Sequence, residues 1–425
     1  MKASRKAKIF IISESKSDGS YYYRGEIFAK NSKFFEVKTN VNFKDQKFID
    51  NKKYFDHMFE SEVVIFLRPL NITNLYLLEI LKKAGKLIIT DNDDDFSLIP
   101  KFNNSYFIRR RYAKVNEKFT KNSHAVFCTN DYLKNRIQKN NENTYVIKNY
   151  IDKKLVKDLN FNHCPETDKK KPTILISGSV LNKENMLNFI PILKQIHKQV
   201  KNLKIVFWGL EKNIQETVKQ EFKIRTKFIS SVDYINYHQT LSKIQTNVAL
   251  IPRKENQFNK SKSNCKYLEL SLANIPVIAQ GYADGASPYQ RDIIDGENGF
   301  IAITPNQWKN KIRGVLENPE LGRLVAKKAN RYVKKNYDIV KNIHEWEQAI
   351  QSLLKEFQLK NKLPNEHLKN LQNYLIHSFQ DLADYSRYLE SNIKIRDRQI
   401  IKLNNKLNKL PHKIVDQVLK AKKII

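Results

Sequence analysis

Cysteine is scarce: Cys128, Cys164 and Cys265 are the only three, widely separated and odd in number. No Cys-x-x-Cys pair or Cys/His spacing of a zinc site occurs, so no structural metal is expected and the chain reads as one from a reducing compartment. No run approaches the ~20 apolar residues that a membrane span needs. The opening "MKASRKAKIFIISES" has a basic lead, but its apolar run at 9–12 is far too short for a secretory segment. The expected place is the cytoplasm, with the inner face of the cell membrane as the surface it would lie on if it lies on one. Acidic residues are few, 44 against 76 basic, which gives a net charge of +32. That surplus favours polyanions: nucleic acid, anionic headgroups or phosphate-bearing substrates. Nucleic acid is the weakest of these, because no helix-turn-helix, aromatic RNP or finger signature is present.

What is present is a globular composition, 41% hydrophobic and 11% aromatic, in 425 residues. That length suggests two domains and an appendage. Short β-branched or aromatic runs at 8–12, 63–67, 86–90 and 125–129 are each followed by a helical pattern such as "NLYLLEILKKAG". The alternation breaks at the polar, proline-containing "FNHCPETDKKKP" and restarts with "TILISGS", "LKIVFWG", "NVALIP" and "PVIAQ" as strands. The expected fold class is α/β, with a mostly parallel, helix-wrapped sheet in each half. "NIHEWEQAIQSLLKEFQL" reads as a long amphipathic helix. Farther on, positions from Leu382 to Ile414 alternate by four and three, and eight of ten are apolar. This is a heptad seam, expected to associate with a second copy or to pack on the body. Pro411 ends it, and "HKIVDQVLKAKKII" has an apolar and a lysine-rich face, as membrane-surface helices and solvated helix ends both do.

The chemistry gathers in "IPRKENQFNKSKSNCKYLE". Strand "NVALIP" delivers this basic loop to the carboxyl edge of a sheet, where α/β proteins bind ligands. Ser263 and Asn264 stand as N-cap of the helix that follows. Lysines at a helix N-terminus suit a diphosphate, and Glu269 is a bidentate acceptor suited to ribose hydroxyls, or else the salt-bridge partner of Lys266. "ISGS" at 176–179 is a small-residue turn after a strand, which lets backbone amides approach a phosphate; it is not GxGxxG, so dinucleotide binding has little support.

"KSKSNCKYLELSLANIPVIAQ", then "SPYQRDIIDGENGFIA", then "NQWKNKIRGVLENPELGRLVAKKANRYVKKNYD" resembles the C-terminal domain of GT-B glycosyltransferases of the group 1 branch, which use nucleotide-sugar donors. "YYYRGEIFAKN" and "KLIITDNDDDFSLIP" resemble the first domain more loosely. The resemblance implies two Rossmann-like domains facing a cleft. Their divisions are an acceptor domain at 1–162, a nucleotide-sugar domain at 172–335, a helix crossing back at 336–362, and a coiled-coil and basic tail at 365–425. It implies that Glu269, seven residues before Pro276, binds the ribose, and that Lys262 and Lys266 neutralise the diphosphate as it leaves. Ser263 and Asn264 would add donors, and Gly178 and Ser179 the turn, without the arginine that often follows that glycine. A second glutamate, found in many relatives eight residues earlier, is Ser261 here. By position, Gly19 faces the donor and Arg24 the acceptor. The form "NKSKS…KYLE" resembles a subgroup of bacterial surface-glycan assembly. The activity implied is hexosyl transfer, retaining and without metal or other cofactor, from a nucleotide-sugar (a UDP-sugar favoured) to a glycan or lipid-linked hydroxyl acceptor. The absent glutamate motivates a rival, a catalytically silent scaffold in a glycan-assembly complex; the charge motivates another, a nucleic-acid binder.

"DNDDD", 91–95, is not an EF-hand, since Phe96 and Phe102 stand where glycine and glutamate are required. Four carboxylates this close repel one another unless a cation is near. Asp91 and Asp94 are assigned to positioning the acceptor or neighbouring basic side chains, with a solvated turn as the rival. Arg109–111 could supply the compensating charge. His57, His124 and His238 are isolated and read as structural.

Overall fold

The computed structural model describes residues 5–15, 18–40, 52–100, 106–159, 161, 171–177, 183–210, 212–221 and 226–360, together with scattered helical positions between 391 and 402. The first lobe holds β1 (Ala7–Ser13), β2 (Phe35–Thr39), β3 (Val63–Leu67), β4 (Leu87–Asn92), β5 (Ala125–Cys128) and β6 (Thr144–Val146) in the order β2-β1-β3-β4-β5-β6. The second holds β7 (Thr173–Ser177), β8 (Lys204–Trp208), β9 (Thr226–Ile229), β10 (Val248–Ile251), β11 (Val277–Gln280) and β12 (Phe300–Ala302) in the order β12-β11-β10-β7-β8-β9. Every pairing within both sheets is parallel.

Parallel strands covered by helices on both faces are apolar on both faces. β3 (VVIFL), β7 (TILIS) and β10 (VALI) accordingly have all residues buried. The acidic run begins inside this framework. β4 continues past Thr90 to Asn92, so Asp91 is a strand residue paired across to Leu67 and Phe127 rather than the first residue of a loop.

Where strand order reverses, loops at the carboxyl ends diverge and leave a crevice. In the first sheet that point lies between β1 and β3, and in the second between β7 and β10. Two stretches of chain join the lobes side by side. Ile151 N donates to Tyr337 O (2.8 Å) and Ile339 N donates to Ile151 O (2.9 Å). The second stretch continues into the helix Ile339–Lys360, which returns to the first lobe. There Trp346 stacks on Phe28 (4.9 Å), and Glu347 accepts from the amides of Lys33 (2.6 Å) and Phe34 (3.0 Å). The heptad seam and basic tail lie outside the described residues, apart from those scattered helical positions. No described helix is long and apolar enough to cross a membrane.

Candidate functional site

The basic loop leaves β10 at the switch point of the second sheet and turns into the helix Cys265–Leu272. Lys262 and Glu269 face the first lobe, and Lys266 lies beside them against the second lobe's own Tyr237. Lys262 Nζ lies 2.6 Å from Asp94 Oδ2, and Glu269 Oε1 accepts from Tyr23 Oη at 3.1 Å. Glu269 Oε2 accepts from Lys266 Nζ at 2.6 Å, and Lys266 also donates to Tyr237 Oη (3.1 Å) while lying 4.5 Å over that ring. Three residues of separation put Lys266 and Glu269 on one helix face. Burial pulls the Lys266 ammonium down, but Glu269 and Tyr237 outweigh it and hold it above the usual lysine range. Burial, aided by nearby Arg253, brings Lys262 below that range against the pull of Asp94.

The expected cap is corrected. Asn264 occupies the N-cap position, but its side chain donates to Asp292 (2.7 Å) and Tyr337 Oη (3.1 Å), while Ser263 Oγ donates to Cys265 Sγ (3.2 Å). These two side chains pin the loop rather than close the helix end. Ser261, where a glutamate was awaited, is fully buried, and its Oγ donates to Phe258 O (2.8 Å). Gly178 and Ser179 lie outside the described residues.

The first lobe meets this loop with its own switch point. Asp18 caps the short helix that Gly19 opens, accepting from Tyr21 N at 2.8 Å. Gly19 packs beside the Tyr234 ring of the other lobe, where a Cβ would lie in ordinary contact at 3.4 Å. Arg68 follows β3 with φ +45°, a conformation that costs a residue with a side chain. Its guanidinium gathers Ser20 Oγ (2.5 Å), Asp93 (3.0 Å) and Asp94 (3.8 Å), and Ser20 in turn donates to Asp93. Burial alone would raise the Asp94 carboxyl, but Lys262 and Arg68 outweigh it and hold it low. Asp95 pairs with Arg136 (2.6 Å). Carboxylate repulsion in the acidic run is thus relieved by cations from β3, from the helix after β5 and from the second lobe. The side chains of Arg109–111 lie outside the described residues. Among the described residues, no group of three or more His, Cys, Asp or Glu is set to hold a metal.

Asp91, a catalytic candidate expected to position the acceptor or a neighbouring basic side chain, holds such a side chain, that of Arg24, which was itself expected at the acceptor. Arg24 Nε and Nη2 donate to the two Asp91 oxygens at 2.8 and 2.9 Å, with side-chain exposures of 1% and 0%. Burial lifts the Asp91 carboxyl to about 6 against the pull of Arg24. A buried carboxylate needs a fixed counter-charge, and here the nearest helix provides it.

Several residues that meet across the cleft escaped the sequence reading. Asn130, after β5, donates to the carbonyls of Ser261 (2.9 Å) and Lys262 (3.2 Å). Tyr22 and Tyr23 lie in a wide π-helical turn, Tyr22–Glu26, of the kind that often marks functional sites. Tyr234 stacks on Tyr22 (4.4 Å) and donates to Tyr23 Oη (2.8 Å); Tyr237 runs parallel to it and stacks on Trp208 (4.6 Å). Four rings therefore pass from one lobe to the other. The signal available was position: each of these residues ends a strand or follows a strand's carboxyl end. Beside Asp94, a cavity of about 220 Å³ is lined by Asn92, Phe96, Asn116, Glu117 and Arg136 among others. His124 Nδ1 accepts from Ile88 N (2.9 Å), His57 meets Lys38, and His238 is buried against Tyr234.

No protein-family model matches the chain. Over 78 residues it is 35% identical to trehalose synthase of Pyrococcus horikoshii, a match spanning 18% of this chain and only 18% of that relative. Three solved structures are similar over nearly their whole length. Sucrose-phosphate synthase from Thermosynechococcus elongatus superposes with a TM-score of 0.57 at 14% identity, covering 83% of this chain and 100% of that one. Anabaena HepE in complex with UDP-glucose gives 0.57 at 13%, covering 81% and 99%. The lipopolysaccharide outer core galactosyltransferase WaaB gives 0.54 at 15%, covering 81% and 99%. At such identities the likeness is one of architecture, and with two Rossmann-like sheets joined by paired crossings it places this chain in the GT-B fold.

Proposed function

We propose that this chain is a glycosyltransferase of the group 1 type, moving a sugar from a nucleotide-diphosphate donor to a hydroxyl acceptor in cell-surface polysaccharide or glycolipid assembly. The observation that carries the reading is the cluster of Lys262, Lys266 and Glu269 at the second sheet's switch point, of which Lys262 and Glu269 meet the first lobe. Glu269 presents the acceptor pair that a ribose diol needs, once Tyr23 yields its oxygen. Lys262 and Lys266 stand where negative charge would grow on the departing diphosphate, and a preorganised cation there stabilises the transition state more than the ground state. These lysines supply that stabilisation themselves, so no step in the proposal is routed through a metal. A UDP-sugar is favoured as donor because HepE was solved with UDP-glucose and WaaB is described as a galactosyltransferase. Retention of configuration is carried from the resemblance. The cavity beside Asp94, lined by amides, opposed charges and an aromatic ring, suits a neutral sugar of the acceptor.

Incubation with UDP-, GDP- and dTDP-sugars, read by mass spectrometry for hydrolysis or transfer, tests the proposal. Turnover abolished by Glu269→Ala is the expected result. A chain that binds nucleotide yet turns over none of the donors would be the silent scaffold, which the buried Ser261 favours. Tight, salt-sensitive DNA binding without turnover would favour the nucleic-acid reading. We also propose that the tail at 365–425 joins copies of the chain and rests on anionic membrane. A chain cut after 364 should then form a smaller assembly by ultracentrifugation, and an unchanged mass would remove the first of those claims.

A further inference from the structure

We propose that Asn149 is a positioning residue, anchored by Arg24, that carries the state of the hinge to the basic loop of the second lobe. What the loop does for a substrate rests on the transferase reading, whereas the relay stands on geometry of its own. Asn149 lies on the stretch that leaves the first lobe, just before the Ile151 crossing, and only 4% of it is exposed. On one side it accepts at Oδ1 from Arg24 Nη1 (3.2 Å). On the other its Nδ2 donates to Ser263 Oγ (3.1 Å) and Cys265 Sγ (2.9 Å). The amide's orientation is dictated by its partners, because a guanidinium only donates and the oxygen must face it.

Arg24 fastens this amide to three structures at once. Two of its nitrogens hold Asp91 on β4. Nη1 also reaches Ile147 O (2.6 Å) on the outgoing crossing, and the guanidinium lies 4.5 Å over Trp346 of the returning helix. Both chain crossings therefore share one buried cation. A shift of either crossing moves Arg24, then Asn149, then Ser263 and Cys265. Cys265 is followed directly by Lys266, and Glu269 lies one helical turn on. Asparagine is suited to the middle of such a chain, since it accepts on one side and donates on the other. Aspartate could accept from Arg24 but would have no proton to pass on at neutral pH.

Asn149→Asp thus keeps the Arg24 end and replaces the loop-end donor by a carboxylate, to which Ser263 Oγ would have to turn its own proton, while Asn149→Leu removes both ends. The readout is alkylation of Cys265 by iodoacetamide in the full chain, resolved by peptide mass spectrometry from Cys128 and Cys164. Both variants are expected to label about 10-fold more slowly than the wild type, because the reacting thiolate loses the Asn149 donor that steadies it, with thermal midpoints within a few degrees. Arg24→Lys keeps the charge but loses the fork that orients Asn149, and is expected to slow labelling although it never touches the loop. With UDP-glucose as donor, the Asn149 variants should raise KM about 10-fold with kcat nearly unchanged, the signature of lost donor positioning. Unchanged Cys265 labelling in Asn149→Asp would overturn the relay. Should Arg24→Lys fail to fold, the two Asn149 variants against the wild type still decide. If the wild type turns over no nucleotide-sugar, the catalytic reading falls, and the labelling rates judge the relay on their own.

Discussion

Asp91 and Asp94 stand three residues apart at the end of one strand, and each meets a cation under different conditions. Asp91 and Arg24 are sealed inside the first lobe, with side-chain exposures of 0% and 1%, and join through two bonds. Asp94 and Lys262 bridge the two lobes through one bond, with exposures of 11% and 19%. Desolvation makes the first pair costly to break and slow to exchange partners, because a lone charge there has no water to turn to. The second pair sits at the cleft, where an incoming anion can replace the carboxylate. Burial, rather than residue type, separates a structural pair from one available for binding.

The largest effect expected from this contrast is on stability. Arg24→Met strands the Asp91 carboxylate and should cost about 3–5 kcal/mol, read from urea unfolding. The double change with Asp91→Leu should recover much of that loss. Lys262→Met, at the less sealed pair, should cost clearly less than Arg24→Met, because the Asp94 carboxylate it leaves behind keeps Arg68 and some contact with solvent. Equal losses at the two pairs would erase the distinction.

The same contrast between inside and edge governs how much could be read from sequence. The eight inner strands were legible, because burial on both faces leaves continuous apolar runs such as VVIFL and VALI. The four that were missed, β2, β6, β9 and β12, are the outermost of each sheet. Their half-exposed sequences, FEVKT and TKFI for example, carry no such run. In the site, the loop bearing Lys262, Lys266 and Glu269 was legible because its chemistry is contiguous along the chain. Tyr23, Asn130 and Asn149 were not. They act on partners 246, 131 and 114 residues away, and no local pattern announces such a meeting. Arg24 and Asp91 were singled out as charged groups at strand ends, but the sequence holds nothing that says they are buried on each other.

A second prediction concerns pH. His238 is buried beside Tyr234, and burial brings its imidazole down to about 4. The unfolded chain takes up this proton near 6.5 and the folded chain only near 4, so the contribution is intact above 6.5 and is lost as pH falls between those values. The loss should approach about 3 kcal/mol by pH 4, at about 1.4 kcal/mol per unit of pH. Urea unfolding from pH 7 to pH 4.5 should show that slope, flattened in His238→Gln. An equal slope in the variant would move the effect to other groups.

The smallest effect should come from Asp94→Asn, which keeps the side chain's shape but removes the charge facing Lys262. Stability should change less than at the sealed pair, because Lys262 and Asp94 keep some contact with solvent and Arg68 retains Asp93. The informative quantity is nucleotide affinity. If Asp94 holds Lys262 in the absence of ligand, a diphosphate must displace it, and removing the competitor should tighten UDP binding a few-fold in calorimetry. Added salt should narrow the difference, since it screens carboxylate and phosphate alike. Weaker binding would mean instead that Asp94 aims the ammonium at its ligand. The inter-lobe pair would then be a fixture of the site, like the pair behind it, and exposure alone would no longer tell the two apart.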